Sequence, residues 1–220
     1  MNNQKQPYGV IFDMDGVLVE SYYPHFESWR SVAREFGHDL TEEQFAHEFG
    51  RTSREIIRDL WGKHFPEEHI PKFDHRKEEL YRDLIRENIP AMPGLDDLLT
   101  ALADDGAKMA VGSSGPIENI DLVLDGLKIR HYFSAIVSAK DVTVGKPDPQ
   151  VFLTAAKILD IAPARCVVIE DALAGIQAAQ RGGMKVIALT TTHSAEKLAG
   201  ANLIVKDLRN LNPATIKSFF

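Results

Sequence analysis

The chain is poor in cysteine: Cys166 is the only one in 220 residues, which excludes an internal disulfide. It borders the apolar run Val167-Val168-Ile169 and reads as a small buried hydrophobe. Long hydrophobic runs are also missing. None approaches the ~18 residues of a membrane span, so no membrane partner is expected. No basic block and no basic stripe interleaved with aromatics occurs, and the net charge is -7, so nucleic acid is not an expected partner either. The stretch Met1 to Pro7 is polar and lacks the apolar centre of a secretory signal, so a cytoplasmic location is expected. Internal repeats and low-complexity tracts are absent. What remains is 44% hydrophobic, enough for one large domain or a core with a smaller insert.

The segment Tyr8-Gly9-Val10-Ile11-Phe12-Asp13-Met14-Asp15-Gly16-Val17 carries the most information. Tyr8 to Phe12 is apolar and rich in aromatic and β-branched residues, the pattern of a short buried strand. Two aspartates and a glycine follow at once. Charge at the end of a core strand costs free energy unless something there uses it. In open α/β sheets, that edge is where ligands bind. An Asp-x-Asp placed there supplies a nucleophile, a proton-transfer group and a hard-metal ligand within a few Å. The plainer alternative is an Asx-type turn that closes the strand.

From about Tyr22 to Glu87 the chain is charged and helix-periodic. Phe26, Trp29, Val32, Ala33 and Phe36 mark one apolar helical face; Ile56, Ile57, Leu60 and Trp61 mark a second; Leu80, Leu84 and Ile85 mark a third. From Pro90 the rhythm changes to alternating helices and strands. Helices are expected over 95–103, 117–127, 149–159 and 172–181, the last stopped by Gly182-Gly183. Strands are expected over 108–111, 135–137, 166–169, 186–189 and 203–205. Such alternation implies a doubly wound parallel sheet, a Rossmann-like α/β core. The helical block then becomes an insertion of about 70 residues. The expected boundaries are 1–19 with 90–220 for the core and 20–89 for the insert.

Each of three strands is followed by residues able to do chemistry: Asp13 and Asp15, then Ser113 and Ser114, then Glu170 and Asp171. A parallel sheet brings all these ends to one edge. Lys146 lies in Gly145-Lys146-Pro147-Asp148-Pro149, where two prolines are expected to hold the backbone extended ahead of a helix. Several carboxylates around one point repel unless a cation sits among them. Oxygen-only ligands favour Mg2+, which usually adds a substrate phosphate. A lysine and a serine alongside would hold further phosphate oxygens.

These four motifs, in this order, resemble those of the haloacid dehalogenase superfamily across essentially the whole chain. The resemblance implies that Asp13 is the nucleophile that forms an aspartyl-phosphate. It implies that Asp15 is the general acid and base, its carbonyl also meeting the metal. Ser113, with Ser114 beside it, and Lys146 would bind the transferring phosphoryl group. Asp171 would ligate Mg2+, and Glu170 is a further ligand, directly or through water. Dehalogenases of the superfamily lack the second aspartate and phosphonate hydrolases carry alanine there, so Asp15 argues for phosphate esters.

The insert resembles the helical-bundle cap of members that act on small metabolites, and such a cap excludes water and bulky substrates. Within that group the likeness is to β-phosphoglucomutase-like proteins. His25-Phe26-Glu27-Ser28-Trp29 resembles their first cap helix, and Thr52-Ser53-Arg54-Glu55 their substrate loop. His25, Arg54 and Arg51 are therefore candidate substrate residues. Two lysines of the mutases are missing: Phe49-Gly50-Arg51 stands where one would precede the cap loop, and Ser114-Gly115-Pro116 where another would follow the second motif. The expected function is a Mg2+-dependent phosphatase of a small phosphorylated metabolite such as a sugar phosphate, acting as a monomer. The rivals are a phosphosugar mutase and a non-catalytic binding protein on the same fold. The seven other histidines show no metal-ligand spacing; Thr190-Thr191-Thr192-His193, after a strand, reads as a polar loop, the alternative being a part of the site's outer wall.

Overall fold

The computed structural model describes residues 6–49 and 53–220. The chain divides into two compact units, one of Met1–Glu20 with Pro90–Phe220 and one of Ser21–Ile89.

The first unit is built on six parallel strands: β1 (Gly9–Phe12), β2 (Lys108–Gly112), β3 (Phe133–Val137), β4 (Cys166–Glu170), β5 (Lys185–Leu189) and β6 (Leu203–Val205). Their spatial order is β3-β2-β1-β4-β5-β6. Five α-helices belong to this unit among the described residues: Leu95–Asp105, Ile117–Gly126, Gln150–Leu159, Leu173–Arg181 and Pro213–Lys217. Ile11, Ala110, Val168 and Ala188 come from four adjacent strands and join one cluster with residues of Gln150–Leu159 and Leu173–Arg181. Val10 and Phe12 point to the opposite face and are just as buried. Both faces are thus covered, as an all-parallel sheet requires, and the strands read as continuous apolar runs.

The chain leaves β1, winds outward through β2 and β3, and then returns to place β4 on the other side of β1. This reversal opens a crevice at the carboxyl ends of β1 and β4, the usual ligand position in such sheets. Register sets its contents: Phe12 pairs with Val111 on one side and Ile169 on the other, so Asp13 follows level with the end of β2 and with Glu170.

The second unit leaves and rejoins the sheet at adjacent points. Met92 N donates to Leu18 O at 3.0 Å, and Glu20 N to Pro90 O at 2.8 Å. It comprises the helices Tyr22–Glu35, Glu42–Glu48, Ser53–Trp61 and Ile70–Ile85. Its core is largely aromatic, with Phe26, Trp29, Phe45, Phe65 and Phe73 all buried. Two features differ from the sequence expectation. The helix Glu42–Glu48 is an addition to it, although Thr41 and Gln44 form a capping box, each side chain bonding the other's backbone N–H. Leu84 is not on the buried face; it is 52% exposed. The stripe of Ile70–Ile85 instead runs Ile70, Phe73, Lys77, Tyr81, Ile85, and Leu84 falls outside it. Its Lys77 is buried because Glu78 takes its ammonium at 2.5 Å. Among the described residues, no helix is long and apolar enough to cross a membrane.

Candidate active site

Asp13 extends β1 by one residue, and its N–H donates to Ile169 O at 2.9 Å, so the sheet itself carries it. The chain then turns tightly: Leu18 N donates to Met14 O at 2.8 Å and Gly16 N to Val19 O at 2.9 Å. Gly16 has φ +70°, and a Cβ there would lie 2.0 Å from Asp171 Oδ2. Both the left-handed backbone and the close approach demand glycine at this turn.

Glu170 ends β4 and is 1% exposed. Its Oε2 accepts from Asp171 N at 2.7 Å and Ala172 N at 2.6 Å. Its Oε1 accepts from Lys146 Nζ at 2.8 Å. A Cβ on Gly175 would stand 1.7 Å from that same Oε1, so the glycine makes room for the carboxylate. Lys146 also donates to Asp13 Oδ1 at 2.7 Å, and its ammonium lies 4.7 Å from the centre of the Phe152 ring. One cation thus bridges the ends of β1 and β4. The loop that delivers it differs from expectation in one respect: Pro149 adopts a helical φ and ψ as the cap of Gln150–Leu159, while Asp148 Oδ1 accepts from Gln150 N at 3.0 Å.

Oxygens of Asp13, Glu170 and Asp171 lie within 4.8 Å of one another, and all three residues are buried. Burial, with Glu170 and Asp15 adding to it and Lys146 working against it, pushes the Asp13 carboxyl up to about 7. Burial, then Glu170 and Asp13, hold Asp171 well above the usual carboxylate range, while the hydroxyl of Thr192 pulls it back. Burial works to lower Lys146, but Asp13 and Glu170 outweigh it and hold the ammonium firmly charged. With all three carboxylates ionised against one lysine, negative charge would be in excess in a dry place. A divalent cation bound by hard oxygens fits that donor set.

Ser113 follows β2 and is buried; its Oγ accepts from Gly115 N at 3.0 Å. A Cβ on Gly115 would sit 3.3 Å from Ser113 Oγ and 4.0 Å from Asp15 Oδ2, so that hydroxyl and that carboxylate both lie close to this glycine. Ser114 is exposed. The structure therefore gathers Asp13, Lys146, Glu170 and Asp171, and sets Ser113 and Asp15 about Gly115.

The substrate candidates of the helical unit stand differently. His25 is buried, its ring stacked on Tyr81 at 4.0 Å and 6°. Arg54 is exposed on Ser53–Trp61, with a guanidinium nitrogen 3.3 Å from Glu67. Arg51 lies outside the described residues.

The sequence reading missed Gly115 and Gly175, and it favoured a plain polar loop for Thr191 and Thr192, whose bonds to the cluster it did not foresee. Thr192 Oγ1 donates to Asp171 Oδ2, and Thr191 Oγ1 donates to Gly16 O at 2.7 Å. Their position just past β5, at the edge already singled out for β1, β2 and β4, was the available signal.

An open parallel sheet with acidic strand ends at its switch point, bridged by a buried lysine, defines a class of α/β proteins whose chemistry sits on the carboxyl edge of the sheet. Residues 10–189 match the family model of haloacid dehalogenase-like hydrolases, and the chain belongs to that family. It is 33% identical over 206 residues to the validoxylamine A 7'-phosphate phosphatase of Streptomyces hygroscopicus subsp. limoneus, covering 90% of this chain and 92% of that protein. It is 34% identical over 210 residues to the β-phosphoglucomutase of Bacillus subtilis, covering 92% and 90%. A crystal structure of β-phosphoglucomutase from Clostridium difficile superposes with a TM-score of 0.85 at 29% identity, covering 97% of each chain.

Proposed function

We propose that this protein is a Mg2+-dependent phosphatase of a small phosphorylated, sugar-like metabolite that works through a phosphate ester on Asp13. The cluster of Asp13, Glu170 and Asp171 around Lys146 carries this reading. Phosphoryl transfer depends mainly on positioning and charge neutralisation, and this cluster offers both.

In the first step an Asp13 carboxylate oxygen forms a bond to phosphorus as the bond from phosphorus to the ester oxygen breaks. Asp15 gives its proton to the departing alkoxide. In the second step Asp15 takes a proton from water, the water oxygen bonds to phosphorus, and Asp13 leaves as a free carboxylate. Lys146 and the Ser113 hydroxyl orient the phosphoryl oxygens. Mg2+, held by Asp13, the Asp15 carbonyl and Asp171, would keep these carboxylates ionised and neutralise phosphate charge. Glu170 has three hydrogen bonds already and is assigned to holding Lys146. His25, Arg51 and Arg54 are assigned to substrate choice. Arg54 suits it because its exposed ion pair contributes little and is readily exchanged.

The similarity to a β-phosphoglucomutase supports a second reading, in which a substrate hydroxyl replaces water. A mutase must hold a bisphosphate firmly in two orientations, and this chain lacks the two lysines noted above. The deciding experiment measures phosphate release across a panel of sugar phosphates with Mg2+ and with EDTA. Release from sugar monophosphates, abolished by EDTA, is expected. Efficient conversion of β-glucose 1-phosphate to glucose 6-phosphate, primed by bisphosphate with little free phosphate, would instead establish the mutase. Failure to turn over any phosphoester would leave the non-catalytic rival standing.

A further inference from the structure

Two hydroxyls from the turn after β5 reach the acidic edge, and neither belongs to the four motifs. Thr192 donates to Asp171 Oδ2, and Thr191 donates to the carbonyl of Gly16 at 2.7 Å. A Cβ on Gly16 would lie 2.0 Å from Asp171 Oδ2 and 3.2 Å from Thr191 Oγ1. The turn after Asp13, the carboxylate of Asp171 and the turn after β5 therefore meet with no side chain between them. Asp171 stands just beyond β4, past the last ladder pairing of Glu170 with Ala188, so the sheet does not fix its carboxylate plane.

We propose that Thr192 is a positioning residue for the metal-binding carboxylate: its hydroxyl sets the orientation of Asp171 and thereby the affinity of the site for a divalent cation. The inference rests on the reading that Asp171 belongs to the cation-binding set. A hydroxyl suits the task because it fixes direction without neutralising charge. A lysine in its place would pair with the carboxylate and compete with the cation. Thr191 plays the matching part across the gap, holding the Gly16 carbonyl and with it the turn that follows Asp13. Groups that orient metal ligands from behind typically change affinity by about 10–100-fold when removed.

The test titrates Mg2+ into metal-stripped protein by calorimetry, comparing wild type with Thr192→Val and Thr192→Ser. Valine keeps the shape and removes the hydroxyl; serine keeps the hydroxyl. Thr192→Val is expected to weaken Mg2+ binding at least about tenfold, and Thr192→Ser to stay within about threefold of wild type. The Mg2+ concentration for half-maximal activity is expected to shift in parallel, with the substrate KM at saturating Mg2+ moving far less. If the valine variant does not fold, Thr192→Ala is titrated against the same thresholds. Affinity within about twofold of wild type in the hydroxyl-free variant, or equal losses in that variant and in serine, would overturn the role of the hydroxyl. Absence of Mg2+ binding by wild type would overturn the metal reading and this inference with it.

Discussion

In the α/β unit, Asp13, Glu170 and Asp171 are buried side by side at the ends of two strands, with one lysine among them. In the helical unit, the buried Glu48 and Lys77 each have a polar partner next to them in the sequence, His47 at 2.7 Å and Glu78 at 2.5 Å, and Asp74 stands 3.6 Å from Lys77 as well. Elsewhere that unit keeps ion pairs in water, as Arg58 with Glu67 and Arg76 with Glu35. Crowded like charges in a dry place cost stability, and they persist where chemistry needs them. Charges matched by near partners need no such reason. One unit gathers like charges in a buried cluster, while the other is stabilised by ordinary aromatic packing.

The contrast breaks first at Asp13. Asp13→Asn keeps the shape and removes the carboxylate that the proposed mechanism uses to attack phosphorus, so turnover of a minimal phosphoester should fall by at least about 10^3-fold. Turnover near wild type would place the chemistry elsewhere.

The helical unit should respond to packing instead. Phe73 is fully buried among Trp29, Phe36, Trp61 and Phe65. Phe73→Ala should cost about 3–5 kcal/mol of that unit's stability, read from denaturant unfolding. A loss below about 1 kcal/mol would mean that the aromatic cluster is not its core.

The electrostatic penalty itself is open to measurement through pH. The Asp13 carboxyl stands near 7 against an ordinary 3.8, so the metal-free folded protein holds a proton that the unfolded chain has released. The folded state binds more protons across that window, so this contribution is complete below the unfolded value and is lost as pH rises through about 7. An asparagine side chain at this position never ionises. Metal-free Asp13→Asn should therefore melt above wild type at about pH 8, with the gap shrinking toward about pH 5. A gap of the opposite sign, or one independent of pH, would show that the cluster carries no such penalty.

The smallest effect is expected at the exposed Arg54. Arg54→Ala should shift stability by no more than about 0.5 kcal/mol. It should raise KM for a large substrate more than it lowers kcat for a minimal one. Equal kcat losses on every substrate would give it a structural role.

The strands of the α/β unit were legible because each is a short apolar run that ends at a polar residue or glycine, and period and punctuation are local properties. The same locality made the helix Gln150–Leu159 readable and left Glu42–Glu48 unread, since seven residues carry little periodicity. Leu84 was misplaced because spacing alone put it on the buried face, whereas the packed stripe runs through Lys77, whose stem is buried while its charge is paired. Thr192 was read only as part of a polar loop for another reason: its place just past β5 marks the edge, but its partner lies 21 positions away and no local pattern names it.

The sequence by itself determined the types of the longer elements, the inserted helical block and the four motifs, because each rests on neighbours within a few residues. Only the tertiary structure decided that Lys146 bridges Asp13 and Glu170, 133 and 24 positions away in the chain. It alone decided that Gly16 and Gly175 leave the space that two carboxylates fill. Strand order and register set which ends meet, and burial sets what a charge costs once they do. Both are properties of the assembled sheet, in which every contact depends on segments far apart in the chain.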